Sequence, residues 1–162
     1  MDVSFDLYNT KGDHILVSLS NYDLTTIPAI TDDARLQSLC FYDVSLVRKG
    51  GSGMVGYNIL MRIASILADF LKENEGAVLC FYCDGVTELE RHNKNIPPQQ
   101  YRSMLFSKMF DLYIHKYRVE GIVNYPIVIA EKDPWKSQYA HFICRENHLE
   151  IIHALRDILI SK

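Results

Sequence analysis

The segment that follows the apolar run 77–83 contains six side chains that could transfer protons, bind a metal ion or contact a partner. They are Asp84, Glu88, Glu90, Arg91, His92 and Lys94. Carboxylates beside a histidine and a lysine suit acid–base or metal chemistry, and a loop at the end of a strand is a common position for a site. Nothing in the sequence fixes the geometry of these groups, and charged loops are usually solvated. We therefore expect a plain surface loop or a partner contact here, and catalysis is the least expected of the three.

A second candidate site is the glycine-rich segment 48–53, which lies between a predicted strand and a predicted helix. Glycines allow a backbone turn to direct its amide groups at an anion near a helix N-terminus, and Arg48 and Lys49 add positive charge. The segment could bind a pyrophosphate group. The alternative is a turn that does no more than join the strand to the helix.

The spacing Arg48-x-x-Gly51-x-Gly53 resembles the acyl-CoA pyrophosphate motif of the GCN5-related N-acetyltransferase superfamily. Tyr117-x-x-x-Gly121 is similar to the tyrosine and glycine that end the family's pattern. The resemblance implies that Arg48, Gly51 and Gly53 bind acetyl-CoA through its pyrophosphate.

The same resemblance implies roles in proton transfer. Tyr117 would be the general acid for the departing thiolate, and Asp84 or Glu88 would relay a proton from the amine. The chain departs from the family pattern in two ways: only 47 residues, mostly strand-like, precede the glycine-rich segment, and the stretch 84–117 is longer than expected.

The half of the chain from residue 77 onward also resembles a family of small uncharacterised Bacteroidetes proteins, classed as a domain of unknown function. The residues that carry the resemblance are Tyr82, Cys83, Asp84, Arg91, Phe106 and Pro134. The family has no assigned activity, so the resemblance implies a bacterial source and little about mechanism.

Hydrophobic periodicity predicts six strands and three helices. The strands are expected at 3–8, 14–19, 36–47, 77–83, 121–130 and 138–144, and the helices at 57–71, 99–117 and 149–159. The tetrapeptide Leu-Cys-Phe-Tyr occurs twice, followed by Asp43 and then by Asp84, and we expect both of these strands to be central and each aspartate to lie near a strand end. Pro126 predicts an edge or bulged strand. The order of elements predicts an α+β fold, with a mixed, mostly antiparallel sheet covered by about three helices.

Composition indicates one soluble domain that spans residues 1–162. Apolar residues make up 48% of the chain and the net charge is −3, without the basic patch of a nucleic-acid-binding protein. The N-terminal sequence lacks the features of a signal peptide, and the most apolar run is interrupted by Arg62 and Asp69. We therefore expect a cytoplasmic protein with no nucleic-acid or membrane partner.

Cysteines, histidines and the tryptophan are predicted to be structural. Cys40, Cys80, Cys83 and Cys144 lie in apolar strand-like runs and are expected in the core. Cys80 and Cys83 form a C-x-x-C inside one strand, so they should point to opposite faces, and no second pair at ligand spacing indicates zinc. The scattered histidines, including His141, are expected to pack or lie at the surface. Trp135 follows Asp133 and Pro134 in a tight turn and is expected to be a hinge plug, with an exposed partner contact as the alternative.

Together these observations predict a non-enzymatic protein-binding module of the immunity, antitoxin or defence accessory type. The expected contact is the charged segment 84–94, and a basic protein such as a nuclease is a suitable partner for a mildly acidic chain. No cofactor is expected on this interpretation. The alternative is an acyl-CoA-dependent N-acyltransferase that holds acetyl-CoA with Arg48, Gly51 and Gly53.

Overall fold

The computed structural model of the protein describes residues 2–22, 34–51, 55–83 and 95–160. Gly53 and all six polar residues of the segment 84–94 therefore lie outside the described residues. The predictions made for those side chains remain predictions.

After an N-terminal hairpin, strands and helices alternate along the chain until a second pair of consecutive strands precedes the last helix. The strands are β1 (Val3–Tyr8), β2 (His14–Asn21), β3 (Cys40–Gly50), β4 (Ala77–Cys83), β5 (Ile122–Ile129) and β6 (Gln138–Arg145). The helices are α1 (Ala34–Gln37), α2 (Tyr57–Glu73), α3 (Pro98–Tyr117) and α4 (Leu149–Ile160), with 3₁₀ turns at Pro134–Lys136 and Glu146–His148.

The strands described above form one open sheet in the order β1-β2-β3-β4-β6-β5. Neighbouring strands are antiparallel except for β3 and β4, which are parallel and joined through α2. The predicted α+β class with a mixed, mostly antiparallel sheet is confirmed. The two strands that contain Leu-Cys-Phe-Tyr are central, and β5, which contains Pro126, lies at an edge, both as predicted.

Most element boundaries agree with the predictions, and the third strand is the main exception. Residues 34–37, of which 36 and 37 were assigned to that strand, form the short helix α1, which the Ser38 hydroxyl closes by donating to the Arg35 carbonyl. The strand itself continues to Gly50, so Asp43 lies in its middle and not near its end. The prediction for Asp43 was wrong because β2 pairs with β3 beyond this point and keeps it extended.

Helices cover both faces of the sheet. On one face α2 packs on β1 and β4, α3 packs on β4, β5 and β6, and Leu67 and Phe110 are completely buried. On the other face α4 packs on β4, β5 and β6 through Ile152 and Leu155. Burial of each such side chain contributes about 1.5–3 kcal/mol before entropy is counted. These two layers hold the parallel pair β3 and β4 in the centre of the molecule.

The predicted inward faces of the two long helices need correction at their ends. The helical spacing of apolar residues in the sequence predicts that Tyr57 of α2 and Leu112 of α3 face inward, but Tyr57 is 50% exposed and Leu112 is also exposed. In α3 the buried positions include Phe106 and Phe110. Apolar residues occur on several sides of α3. Helical periodicity therefore did not identify the face that contains these phenylalanines as the buried one.

Cys40 was expected in the core but is exposed at the start of β3, where the strand has just left the turn that follows α1. Cys80 and Cys83 lie in one strand and pack into the two opposite layers, as predicted. No helix in the described ranges is long and apolar enough to cross a membrane.

Candidate functional site

The glycine-rich segment is held against the turn between β1 and β2. Asp13 in that turn accepts hydrogen bonds from Arg48 Nη1 at 3.0 Å and from Asn9 Nδ2 at 2.8 Å. Gly51 has φ +89°, and a Cβ added to it would lie 2.9 Å from the Cα of Asp13. Both the conformation and the space therefore favour glycine at position 51. The Arg48–Asp13 ion pair is largely buried, so a carboxylate already neutralises this guanidinium.

The two strands that precede the candidate segments of the sequence run in the same direction and are neighbours in the sheet. β3 and β4 are parallel neighbours, so the glycine-rich segment, which leaves β3 at Gly50, and the charged segment, which leaves β4 at Cys83, both follow C-terminal strand ends. In sheets with parallel strands, ligands commonly bind outside these ends. This juxtaposition could not be inferred from the sequence, because the strand order was unknown.

An apolar cavity lies where the two parallel strands separate. β3 and β4 pair only from Cys40 to Asp43 and from Ala77 to Cys80, after which β3 continues beside β2 and β4 beside β6. The cavity, here called the crevice, encloses about 80 Å³. It is lined by Ile15, Leu46, Arg48, Val55, Leu60, Ile63, Phe81, Arg102, Leu105, Phe106 and Met109. An apolar space with two guanidinium groups suits the apolar part of an anionic ligand.

A chain of buried polar groups lies behind the crevice. Ser103 Oγ is 2.9 Å from His141 Nε2, His141 Nδ1 is 2.8 Å from Asn124 Oδ1, and Asn124 Nδ2 donates to Ser107 Oγ at 3.1 Å. Because the Asn124 oxygen accepts, Nδ1 of His141 is the protonated nitrogen and Nε2 accepts from Ser103. Burial lowers the pKa of His141 to about 4, so the ring is neutral at neutral pH.

This polar chain has the order of groups found in nucleophilic enzymes, in which a base orients a hydroxyl. However, neither Ser103 nor His141 lines the crevice, and His141 is completely buried. The phenyl ring of Phe106 lies between the crevice and the imidazole, 4.9 Å from its centroid. The chain therefore satisfies polar groups inside the core, which is the structural role predicted for His141.

The cysteines of the core are poor nucleophiles. Burial raises the pKa of Cys83 to about 12, although the positive charge of Arg102 and a hydrogen bond with Ser103 act in the opposite direction. Burial also raises the pKa of Cys144 to about 12 and that of Cys80 well above its usual range. These thiols remain protonated at neutral pH, and thiolate chemistry at the C-x-x-C is disfavoured.

Tyr117 lies at the end of α3, away from the crevice, in a surface groove between the N-terminal part of α2 and the C-terminal part of α3. This feature, called the tyrosine groove, is lined by Tyr57, Asn58, Met61, Arg62, Ser65, Tyr113, Lys116 and Tyr117. It shares no lining residue with the crevice. Tyr117 and Arg48, which the acyltransferase resemblance assigns to one site, thus line different cavities.

The tyrosine groove is aromatic and cationic. Tyr57 and Tyr117 are 50% and 54% exposed, and the Lys116 Nζ lies 5.7 Å and 5.4 Å from their ring centroids. Arg62 donates a hydrogen bond to the Tyr8 carbonyl at 3.0 Å. Within the described parts of the chain, no carboxylate forms an ion pair with Arg62 or Lys116. This groove was not predicted from the sequence, in which its only signal is the placement of tyrosines at helix ends.

Trp135 is exposed as well, in contrast to its predicted role as a plug. It lies in the 3₁₀ turn Pro134–Lys136, where Asp133 Oδ1 accepts from its backbone N–H at 3.0 Å and Gln99 donates to its carbonyl. The backbone of Trp135 is therefore fixed, while its indole is half exposed.

In the part of the chain that the structure describes, no group of His, Cys, Asp or Glu side chains could hold a metal ion.

Comparison with known proteins identifies no relative: no family model, no curated protein and no solved structure matches this chain. Both resemblances described above are thus untested, and functional inference depends on the residues and their geometry.

Proposed function

We propose that this chain is a protein-binding module and that its partner contacts the tyrosine groove. The observation that supports the proposal is the exposure of Tyr57 and Tyr117 on either side of Lys116. Tyrosine is enriched in protein–protein interfaces because its ring buries a large area while its hydroxyl forms hydrogen bonds. The charged segment 84–94, which follows β4 in the chain, remains a second expected contact.

A pull-down with two matched double variants tests the proposal. Tyr57→Ser/Tyr117→Ser alters the groove, and Tyr22→Ser/Tyr82→Ser alters two tyrosines that are also 50% and 54% exposed but lie elsewhere. Each bait is incubated with a lysate of the cells that produce the protein, and the captured proteins are quantified by mass spectrometry. Loss of one partner from the groove variant alone is the expected result.

The other outcomes are also informative. A partner that is retained by the groove variant but lost by Tyr22→Ser/Tyr82→Ser would contradict binding at the groove and favour the surface at Tyr22 or at Tyr82. If no variant changes the set of captured proteins, the tyrosine groove is not an interface.

A second candidate function is acyl-CoA-dependent N-acyl transfer, and the crevice is the observation that favours it. The apolar cavity opens where β3 and β4 separate, and the guanidinium groups of Arg48 and Arg102 could bind the anionic part of the ligand. Two features weigh against it. Asp13 neutralises Arg48, and Tyr117 lies in the tyrosine groove, so another group would have to protonate the thiolate.

Thermal-shift titration with acetyl-CoA distinguishes this candidate. Arg48→Ala and Asp13→Ala both break the same ion pair, but only the former removes the cation. If Arg48 holds the pyrophosphate, a ligand at 100 times its dissociation constant should raise the Tm by about 5–10 °C in wild type and Asp13→Ala, and not in Arg48→Ala. No shift in any protein at millimolar ligand would eliminate the acyltransferase interpretation.

A further inference from the structure

The two edges of the sheet differ in their capacity to accept another strand. β5 contains Pro126, which cannot donate a backbone hydrogen bond, whereas β1 has no proline from Val3 to Tyr8. No strand of the described chain pairs with the outer edge of β1. A strand edge that no described strand covers offers N–H and C=O groups to an extended segment. β1 is thus the edge at which strand addition is possible.

A groove runs beside this edge. Residues 4–7 of β1 form one wall, and Arg62, Ser65 and Ile66 of α2 form the other. This edge groove meets the tyrosine groove at Arg62 and Ser65, which line both. A chain that paired with β1 would therefore pass Arg62 and could reach the tyrosines at the end of α3.

The charges of the two grooves favour an acidic occupant. Arg62 and Lys116 have no ion-pair partner among the described carboxylates. Asp6, which also lines the edge groove, lies 2.7 Å from His14 Nε2. Two cations that are not neutralised locally complement carboxylates of a partner and disfavour a basic one.

We infer that β1 and the two grooves bind an extended acidic segment of a partner protein. The segment adds as a strand to β1, places carboxylates beside Arg62 and Lys116, and packs an apolar or aromatic side chain against the exposed ring of Tyr57 or Tyr117. In this mode main-chain hydrogen bonds supply affinity and the flanking side chains supply specificity. The inference rests on the proposed protein-binding function and names the chemistry of the partner.

Fluorescence anisotropy with three labelled octapeptides tests the inference. One alternates glutamate and valine, one alternates lysine and valine, and the third carries proline in place of every second valine of the acidic peptide. We expect the acidic peptide to bind at least about tenfold more tightly than the basic one, because like charges in a groove repel. The proline peptide should bind at least about tenfold more weakly than its parent, because proline cannot donate to a strand ladder.

Two lysines of α3 provide a matched pair of variants. Lys116 and Lys108 are both exposed, and Lys116→Glu and Lys108→Glu change the net charge equally, but only Lys116 lines the groove. Lys116→Glu should weaken binding of the acidic peptide at least about fivefold and Lys108→Glu less than about twofold. Equal effects of the two substitutions would overturn the inference, as would tighter or equal binding of the lysine peptide.

Failure of this inference can be separated from failure of the proposed function. A partner that depends on Tyr57 and Tyr117 in the pull-down, together with no binding of the acidic peptide at millimolar concentration, would overturn the acidic strand and leave the interface intact. A concentration-dependent dimer by light scattering whose formation blocks binding of the acidic peptide would assign the β1 edge to a second copy of this chain, and would equally overturn the inference.

Discussion

Arg48 of the crevice and Arg62 of the tyrosine groove both lie beside apolar side chains, but these two arginines serve different purposes. Arg48 is bonded to a buried aspartate inside the fold, and that pair fixes the turn between β1 and β2 to the end of β3. Arg62 lies at the surface and donates to a backbone carbonyl, which leaves its charge uncompensated. A neutralised cation stabilises the fold, whereas one that is not neutralised attracts an anion. The glycine-rich motif, which is the stronger of the two signals in the sequence, thus lies in the region whose arginine stabilises the fold.

The largest expected difference between the regions is in stability. Phe106 lines the crevice and stacks on Phe81 with ring centroids 4.6 Å apart, whereas Tyr117 is half exposed. Phe106→Ala should lower the free energy of unfolding by about 3–5 kcal/mol, and Tyr117→Ala should change it by less than about 1 kcal/mol. Urea unfolding of both variants measures this. Similar losses for the two would show that the groove belongs to the core.

Substitution of two glycines tests whether contact with Asp13 explains the glycine at position 51, beside the crevice. Gly51 and Gly12 have similar positive φ values of +89° and +87°, but an added Cβ meets Asp13 at Gly51 and no atom within 4 Å at Gly12. Gly12→Ala should lower the free energy of unfolding by about 1 kcal/mol through backbone strain. Gly51→Ala should lower it by about 3 kcal/mol, because overpacking adds to the same strain. Equal losses would mean that contact with Asp13 does not explain the glycine.

The buried His141 predicts a pH dependence of stability. Burial lowers its pKa in the folded state to about 4, below the usual value of 6.5, so the unfolded chain takes up the proton first as the pH falls. Above pH 6.5 the effect is absent, and between pH 6.5 and 4 stability decreases by up to about 3 kcal/mol.

Comparison with His141→Gln isolates this contribution, since glutamine can still form hydrogen bonds but does not titrate. Unfolding free energies measured from pH 7 to pH 4 should decrease more steeply in wild type than in the variant. Parallel curves would show that the imidazole is not held neutral in the folded state.

The smallest expected effect concerns salt. If exposed Arg62 and Lys116 attract the acidic peptide, an increase from about 50 mM to 500 mM NaCl should weaken its binding about two- to fivefold, because salt screens exposed charges. The largely buried pair Arg48–Asp13 is screened much less, so the Tm should change little. Anisotropy and thermal unfolding in the same buffers measure both. Salt-independent peptide binding would contradict an electrostatic role for the groove.

The sequence was sufficient to predict elements whose signal is local. β1 and β4 were predicted with their observed bounds, because alternation identifies one and an unbroken apolar run the other. The Arg48–Asp13 pair could not be foreseen, since the two residues are 35 positions apart and only the register of β2 on β3 joins them. The exposure of Tyr57 and Tyr117 was also missed, because helical periodicity does not indicate where a helix extends beyond the sheet that it covers.

The most direct test of binding at the grooves is a titration of the ¹⁵N-labelled protein with the peptide of alternating glutamate and valine. Amide chemical shifts are measured at each peptide concentration. Binding at the grooves predicts shifts in residues 4–7, in Arg62 and around Lys116, with slower amide exchange along β1. Shifts centred on Leu46, Phe81 and other residues of the crevice, or no shifts at millimolar peptide, would contradict it.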